Sequence, residues 1–556
     1  MRTGRDLPER RESGVSAAAA AVGVSVIVPV YNQAESIGGN IQTILDRVSR
    51  GLDEPVEIVV VSDGSVDQTE ERALSVASDR VRVLHYERNL GKGYAIKAGA
   101  LEARGEWIAF IDADLDLDPA AIPEFVRIAR AKRLDFVIGS KRHPESDVFY
   151  PRSRRVASWL YQQLVRLLFR LDVRDTQVGL KVFRREIADE VMPFLLVKRF
   201  AFDLELLSVA RAFGFRRIEE RPVSLQYRFT GSGVRSLAVA RALVDTAAIF
   251  YRLRVLRYYE RRRTLGGRFG WTRPRDYVSH VTVVAAPTAD LSHLDYPSLD
   301  IVSGLDRRAA AEQAEGELVA FVGEGATPAS NWLRATVPFL ARSEVDAVVT
   351  PSVAPHQGPR RAIAAAAVQE SRLGGGSLYF RFTPGNVRFV RDYPTESLVV
   401  RKDAFLALPR DVQAADVVAR VAEAGGRAIY TPEAVVAAPC PPLFRPHVRR
   451  VVAYGLRRGS ALRRGRSRLR LTTVLPVALI AYLGFSWPLA VWAGGTWRDV
   501  WLSICAAYLV LVVVSGGVGG ALRFRSLPVG LLAVVGLLVT HFVYGAALLR
   551  GYWRDE

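Results

Sequence analysis

Cysteine is nearly absent: Cys440 and Cys505 are the only two in 556 residues. That excludes a disulfide-stapled scaffold and makes a reducing compartment the default. Lysine is scarce as well, confined to Lys92, Lys97, Lys132, Lys141, Lys181, Lys198 and Lys402, yet the net charge is +19. The basicity is therefore almost wholly arginine. Histidines (His85, His143, His280, His293, His356, His447, His541) are scattered without ligand spacing, which argues against a zinc site. Apolar residues at 49% and charged residues at 24% exclude a disordered or collagen-like chain. The length leaves room for about three domains. A basic excess of this size points to nucleic acid, an anionic membrane face or phosphorylated ligands.

The two ends differ. Residues 1–22 form an Arg/Glu-rich head followed by alanines. The apolar stretch that follows runs straight into Val24–Val30, which reads as a buried strand, so the head is expected to be a disordered tail rather than a leader. At the other end, residues 471–493, 500–520 and 527–549 each approach the ~20 residues needed to cross a bilayer. Trp487, Trp492, Trp497, Trp501 and Tyr552 flank them, where aromatic rings favour the interface. Just before them, ten arginines from Arg445 to Arg470 stand without an acid, which predicts a cytoplasmic segment. The expected layout is a basic juxtamembrane segment at 446–470, three spans within 471–549 and a tail at 550–556. It places the protein in the plasma (inner) membrane with everything before residue 445 cytoplasmic. Much of the basic excess then lies beside the membrane, favouring anionic lipid headgroups and arguing against nucleic acid.

Residues 23–265 alternate apolar runs with helical stretches. Val24–Val30, Val56–Val61, Val81–His85, Trp107–Ile111 and Phe136–Ile138 read as strands. Ala34–Ser49, Asp67–Ala77, Gly93–Ala103 and Ala120–Ala131 read as helices. Such βα repeats predict an α/β, Rossmann-like fold, a largely parallel sheet with ligands at the carboxyl ends of its strands. Asp112, Asp114 and Asp116 follow the fourth strand and offer hard oxygen ligands for Mg²⁺ or Mn²⁺. A calcium EF-hand does not fit, because its required Gly and Glu positions hold Leu117 and Pro123. Gly91-Lys-Gly93 lacks the third glycine of a dinucleotide fingerprint.

Val26-Ile-Val-Pro-Val-Tyr-Asn32, Val60-Val-Ser-Asp-Gly-Ser65, Asn89-Leu-Gly-Lys-Gly93 and the run from Gly105 to Asp114 resemble, in order and spacing, the motifs of family 2 inverting glycosyltransferases. Gly139-Ser-Lys-Arg-His143, Asp175–Lys181 and Arg199–Leu207 narrow the resemblance to polyprenyl-phosphate hexose synthases, especially the dolichyl-phosphate β-glucosyltransferase branch. The resemblance covers residues 24–260 and implies a GT-A-type catalytic domain. By its motifs, Pro29, Tyr31, Asn32, Asp63 and Lys92 would meet the nucleotide sugar. Asp112 and Asp114 would ligate the metal on the diphosphate, with Asp116 a third ligand. Lys141, Arg142 and Lys181 are candidates to hold an acceptor phosphate. Asp175, Asp203 and Glu205 would shape the acceptor site or act as base toward a hydroxyl. Two positions depart from the family pattern: Ser62 stands where a second acid precedes Asp63, and Gln33 where a Glu follows Asn32.

Val156–Leu171 and Leu237–Arg263 mix apolar residues with arginines, as helices lying on a membrane face do, or as core helices with a basic outer side. Residues 266–280 read as a linker. Residues 281–445 repeat the first domain's outline, with strands at Val281–Ala285, Leu299–Val302 and Glu317–Val322. Tyr430–Val435, Tyr454-Gly455 and Thr540–Gly545 in and after this half resemble membrane-anchored family 2 transferases of exopolysaccharide synthesis. Its chemistry is lost: Gly323-Glu324-Gly325 stands at the metal motif, and Gln413-Ala414 at the catalytic acidic pair. A degenerate transferase-like domain that anchors, dimerises (a homo-oligomer) or helps bind acceptor is expected. The leading expectation for the whole is hexose transfer from a nucleotide diphosphate sugar to polyprenyl phosphate. The alternatives are transfer to a lipid-linked saccharide hydroxyl, or a non-catalytic assembly subunit.

Overall fold

The computed structural model describes residues 22–146, 152–197, 201–224, 236–269, 277–355, 358–464, 471–493 and 495–553. The N-terminal tail up to residue 21, the centre of the linker, Arg466, Arg468 and Arg470, and residues 554–556 lie outside the described residues.

Seven strands form the first sheet: β1 (Val24–Val30), β2 (Val56–Asp63), β3 (Val81–Tyr86), β4 (Trp107–Phe110), β5 (Phe136–Ser140), β6 (Lys181–Arg184) and β7 (Ile218–Pro222). Their order is β3-β2-β1-β4-β6-β5-β7. All pairings are parallel except those of β6, which runs antiparallel to β4 and β5. β1 and β2 are valine-rich and covered on both faces, as central parallel strands must be. The helix Ile37–Arg50 buries Ile37, Ile41, Ile44 and Val48, one stripe at helical spacing. The five strands read from the sequence are present to within two residues at each end; β6 and β7 were not foreseen. β6 begins at a lysine, and β7 is a half-buried edge strand reading Ile-Glu-Glu-Arg-Pro, so neither shows an apolar run.

The second sheet contains β8 (Val281–Ala285), β9 (Leu299–Ser303) and β10 (Leu318–Val322), and a three-stranded ribbon begins at β11 (Thr327–Pro328). β12 (Ala347–Val349) returns to the sheet, β13 (Ser352–Val353) joins the ribbon, and β14 (Arg388–Val390), β15 (Leu398–Arg401) and β16 (Ala428–Tyr430) complete the sheet. β17 (Val436–Ala437) closes the ribbon. The order β14-β16-β12-β15-β10-β8-β9 repeats six strands of the first sheet in position and direction. β9, β8 and β10 correspond to β2, β1 and β4. The antiparallel β15 corresponds to β6, and β12 and β16 to β5 and β7. Over these six strands the two sheets share one arrangement.

Among the described residues, three helices are long and apolar enough to cross a membrane: Val474–Trp492, Gly495–Phe524 and Leu527–Trp553. The first two turn large side chains outward, with Phe485 82%, Trp492 89% and Trp497 70% exposed. The third differs. One part of it packs on the alanine-rich helix Arg360–Gln369, where a Cβ at Gly536 would lie 2.8 Å from Val368. Its last turns pack on the basic helix Arg445–Arg463 along a glycine seam. There a Cβ at Gly455 would lie 2.7 Å from Ala547, and one at Gly551 would lie 2.3 Å from the Leu456 carbonyl oxygen. Two arginines of this helix are taken up by protein carboxylates. Arg458 is buried against Asp392, and Arg457 pairs with Asp416 at 3.4 Å.

One buried carboxylate joins the first domain, the alanine-rich helix and the apolar helices. Glu370, at the end of the alanine-rich helix, takes both guanidinium nitrogens of Arg88 from the first domain, one at 2.5 Å. Its Oε2 also accepts from Arg523 of the apolar helices at 2.9 Å. Glu370 is 1% exposed at the side chain and Arg88 7%. Removing one partner of such a buried group leaves an uncompensated charge. Glu370→Gln is expected to cost about 3–5 kcal/mol, read as a lowered melting temperature of the detergent-solubilised full chain. A change of under about 0.5 kcal/mol, the surface value, would contradict it.

Candidate active site

β1 lies between β2 and β4, so the carboxyl ends of these strands open onto one crevice. Tyr31 is exposed at its rim. Asn32 adopts a left-handed backbone, φ 52°, and its side chain accepts from the Val66 amide at 3.0 Å, tying the first loop to the second. Asp63 is buried and engaged: its carboxylate accepts from the amides of Leu90 (2.7 Å) and Gly91 (2.9 Å) and from the Tyr86 hydroxyl (3.0 Å). Its observed work is to fold the Asn89–Gly91 loop against β2. Gly64, at φ 61°, has no room for a side chain, since a Cβ would lie 2.2 Å from the Asn89 nitrogen.

The loop after β4 carries the acids. Asp112 is half-buried, Asp114 exposed and Asp116 half-buried. Asp114 accepts from the Asp116 amide at 3.1 Å, which curls the loop, and Asn40 donates to the Ala113 carbonyl at 2.8 Å, which pins it. Lys92 forms an ion pair with Asp112. Burial pulls the Lys92 ammonium down, but the carboxylates of Asp112, Asp203 and Asp114 outweigh it and hold its pKa above the ordinary lysine value. Gly179 backs the site: a Cβ there would lie 2.2 Å from Asp112 Oδ2. An all-oxygen set beside a cation suits a hard divalent ion such as Mg²⁺ or Mn²⁺, and the close approach of Gly179 holds one of its carboxylates in place.

The acceptor side departs from expectation at two residues. Lys181 is completely buried, donating to the Val178 carbonyl and to Asp203 Oδ1, each at 2.6 Å. It is therefore not a surface cation able to meet a phosphate. Its role is to fix Asp203, which is only slightly exposed. Glu205 is fully buried and accepts from the amides of Leu196 (2.8 Å) and Val197 (2.7 Å) and from the Tyr259 hydroxyl, with Arg252 at 3.5 Å. A carboxylate so enclosed cannot reach a substrate hydroxyl, so its assignment as a base is withdrawn. Asp175 stays half-buried at the loop before β6, accepting from the Lys141 amide at 3.3 Å. Lys141 and Arg142 are half-exposed just after β5. Pro29, the residue before the last of β1, is half-buried near its carboxyl end. Sequence reasoning missed Asn40 and Glu220, which accepts from the amides of Arg174 and Asp175 at 2.9 Å. Neither stands in a motif. Gly179 does, and its spacing to Lys181 was the available signal. In the second domain, Glu324 sits after β10 as Asp112 sits after β4, accepting from the Thr288 hydroxyl. Gln413 and Ala414 line a cavity of about 630 Å³ beside it.

The sheet order, the crossing antiparallel β6 and an acidic loop at the end of β4 define the GT-A class of fold. Comparison gives the family. Residues 25–192 match Glycosyl transferase family 2. The dolichyl-phosphate beta-glucosyltransferase ALG5A of Trichomonas vaginalis is 31% identical over 255 residues, 44% of this chain and 78% of that one. The chain belongs to glycosyl transferase family 2. Glycosyltransferase AglD of Haloferax volcanii is 35% identical over 218 residues, 39% of this chain and 34% of that protein. The human dolichyl-phosphate beta-glucosyltransferase is 34% identical over 208 residues, 34% of this chain and 63% of that one. The chain thus spans between a third and under two thirds of these two relatives' length. Among solved structures, glucosyl-3-phosphoglycerate synthase of Mycobacterium tuberculosis with Mn²⁺, UDP-glucose and phosphoglyceric acid overlaps at a TM-score of 0.32 and 20% identity, covering 41% of this chain and 80% of that one. That overlap is too slight to bear on function.

The burial of Lys181 separates its two assignments. Lys181→Met leaves Asp203 without its partner and is expected to destabilise the full chain by about 3–5 kcal/mol. Lys141→Met, on the half-exposed loop, should shift stability by under about 0.5 kcal/mol. Thermal melts of the two variants side by side check this, and equal shifts would refute it.

Proposed function

We propose that this chain is a membrane-bound inverting glycosyltransferase that moves a hexose, glucose-like, from a nucleotide diphosphate sugar to polyprenyl phosphate. The observation that carries the reading is the Asp112–Asp114 loop at the carboxyl end of β4, with Lys92 against it and Gly179 behind it. Relatives named as dolichyl-phosphate beta-glucosyltransferases support the acceptor class.

Asp112 and Asp114, with Asp116, would hold Mg²⁺ or Mn²⁺, which when bound neutralises the charge growing on the leaving diphosphate. Lys92 keeps a positive charge at the same edge. The Asn89–Gly91 turn, folded by Asp63, and Tyr31 with Asn32 wall the donor's side of the crevice. A phosphate acceptor, with a second pKa near ~6 by analogy with phosphoamino acids, is mostly ionised at neutral pH and needs orientation more than a base. Lys141 and Arg142 supply cationic binding for it, and Asp175 with the Lys181-held Asp203 shapes the space around it. The three apolar helices would span the plasma membrane with both domains on its cytoplasmic side. Exposed Leu160 and Leu167 on Arg152–Phe169, and Val244 and Val255 with Arg254 and Arg257 further on, would rest on anionic lipid. The second domain is read as a degenerate transferase, since one glutamate replaces the acidic loop.

Membranes carrying the protein, given labelled nucleotide sugars, Mg²⁺ and polyprenyl phosphate, should place label in a mild-acid-labile monoglycosyl lipid. Label found only in oligosaccharide would instead mean a hydroxyl acceptor. Asp114→Ala is expected to reduce transfer by at least about 10²-fold, the scale of losing electrostatic stabilisation of a leaving group. Glu324→Gln should leave the rate within about twofold, the spread of a residue outside the chemistry. A large loss there would overturn the reading of the second domain.

A further inference from the structure

Two histidines far apart in sequence meet where the domains touch. His85 lies on β3, and Glu70 on the helix Thr69–Leu74 beneath it; His293 comes from the second domain, in the loop after β8. One ligand atom from each lies within 4.8 Å of the others. His85 Nδ1 is 2.6 Å from one oxygen of Glu70, and His293 Nδ1 is 3.4 Å from the other. The two rings stand 5.0 Å apart. Glu87 adds a carboxylate 3.8 Å from His85 Nε2. His85 is 6% exposed, and its ring is enclosed between two carboxylates, Glu70 at Nδ1 and Glu87 at Nε2, with the second imidazole beside it.

We propose that Glu70, His85 and His293 form a binding site for a borderline divalent cation of the zinc class, joining the two domains. Two imidazoles with a carboxylate suit such an ion, whereas Mg²⁺ and Ca²⁺ prefer oxygen alone. The site is therefore distinct in chemistry from the all-oxygen loop at Asp112. Water completes the fourth position, and Glu87 stands at the other ring nitrogen of His85, where it would accept the proton that fixes the tautomer. The seam already holds by backbone pairing, the His85 amide donating to Ser330 Oγ at 3.0 Å and the Ser330 amide to the His85 carbonyl at 3.2 Å. The ion would add a link between side chains from both sides. Its competitor is a proton, because Glu70 and Glu87 also favour a charged imidazole, so uptake of the metal releases a proton.

The full chain in detergent, stripped with EDTA and equilibrated with Zn²⁺ at pH 7.5, is tested for bound metal by mass spectrometry. Wild type and Asp114→Asn should each retain one zinc per chain. His293→Ala and Glu70→Gln should each retain under about a tenth of that, since a lost ligand opens the site. X-ray absorption at the zinc edge of the wild type should show a nitrogen/oxygen shell with imidazole scattering, a readout that needs no variant to fold. Absence of retained zinc in the wild type, equal retention in His293→Ala, or a shell without imidazole would overturn the proposal and leave a protonated ion-pair cluster.

Discussion

A carboxylate with almost no access to water ties this chain together. Glu370 is held by a guanidinium from each of two other bodies, Arg88 of the first domain and Arg523 of the apolar helices. Burying Glu370 and Arg88 is costly, and the cost is offset only while the two remain paired, with the more exposed Arg523 adding a second cation at the edge. The contact therefore specifies position more than it adds stability. Arg88 follows β3 and leads into the loop that Asp63 folds, so this carboxylate, with the Arg88 guanidinium over the Phe524 ring, helps place the wall of the crevice relative to the apolar helices.

Acids of the same type do opposite work in this molecule, and burial decides which. Asp63 and Glu205 have every oxygen directed to amides or hydroxyls of their own chain, and they organise loops. Asp112 and Asp114 are less enclosed: Asp112 is half-buried against Lys92 and Asp114 is exposed. The sequence motifs could not separate these cases, because a motif records that an acid is present and not whether its lone pairs are already used. Lys181 shows the same limit from the other side: its motif suggested a clamp, and its enclosure beside Asp203 makes it a brace.

What was legible in the sequence was what depends on local periodicity. The five leading strands, the acidic loop at the end of β4 and the three apolar helices all announce themselves through runs of valine, alternating turns or unbroken hydrophobicity. β6 and β7 were hidden because a buried lysine opens one and charged residues fill the other. The meeting of His85 with His293 was hidden because it depends on how two sheets dock. The second sheet's likeness to the first was visible in the sequence only as a worn outline, whereas six strands repeat its order and direction. Family 2 membership rests on the first domain's motifs and on the matched relatives.

The alanine-rich helix Arg360–Gln369 carries its small, apolar face against the last hydrophobic helix, and Glu370 at its end waits for Arg523. Synthesis from the N-terminus makes both sheets before either partner exists. Until the final helix emerges, the nearly finished domains hold an uncovered alanine-valine face and a carboxylate with one counterion of two. Completion of the two-sheet architecture is thus coupled to placement of the helix Leu527–Trp553, and a shortened version ending near residue 445 would carry that unfinished surface permanently.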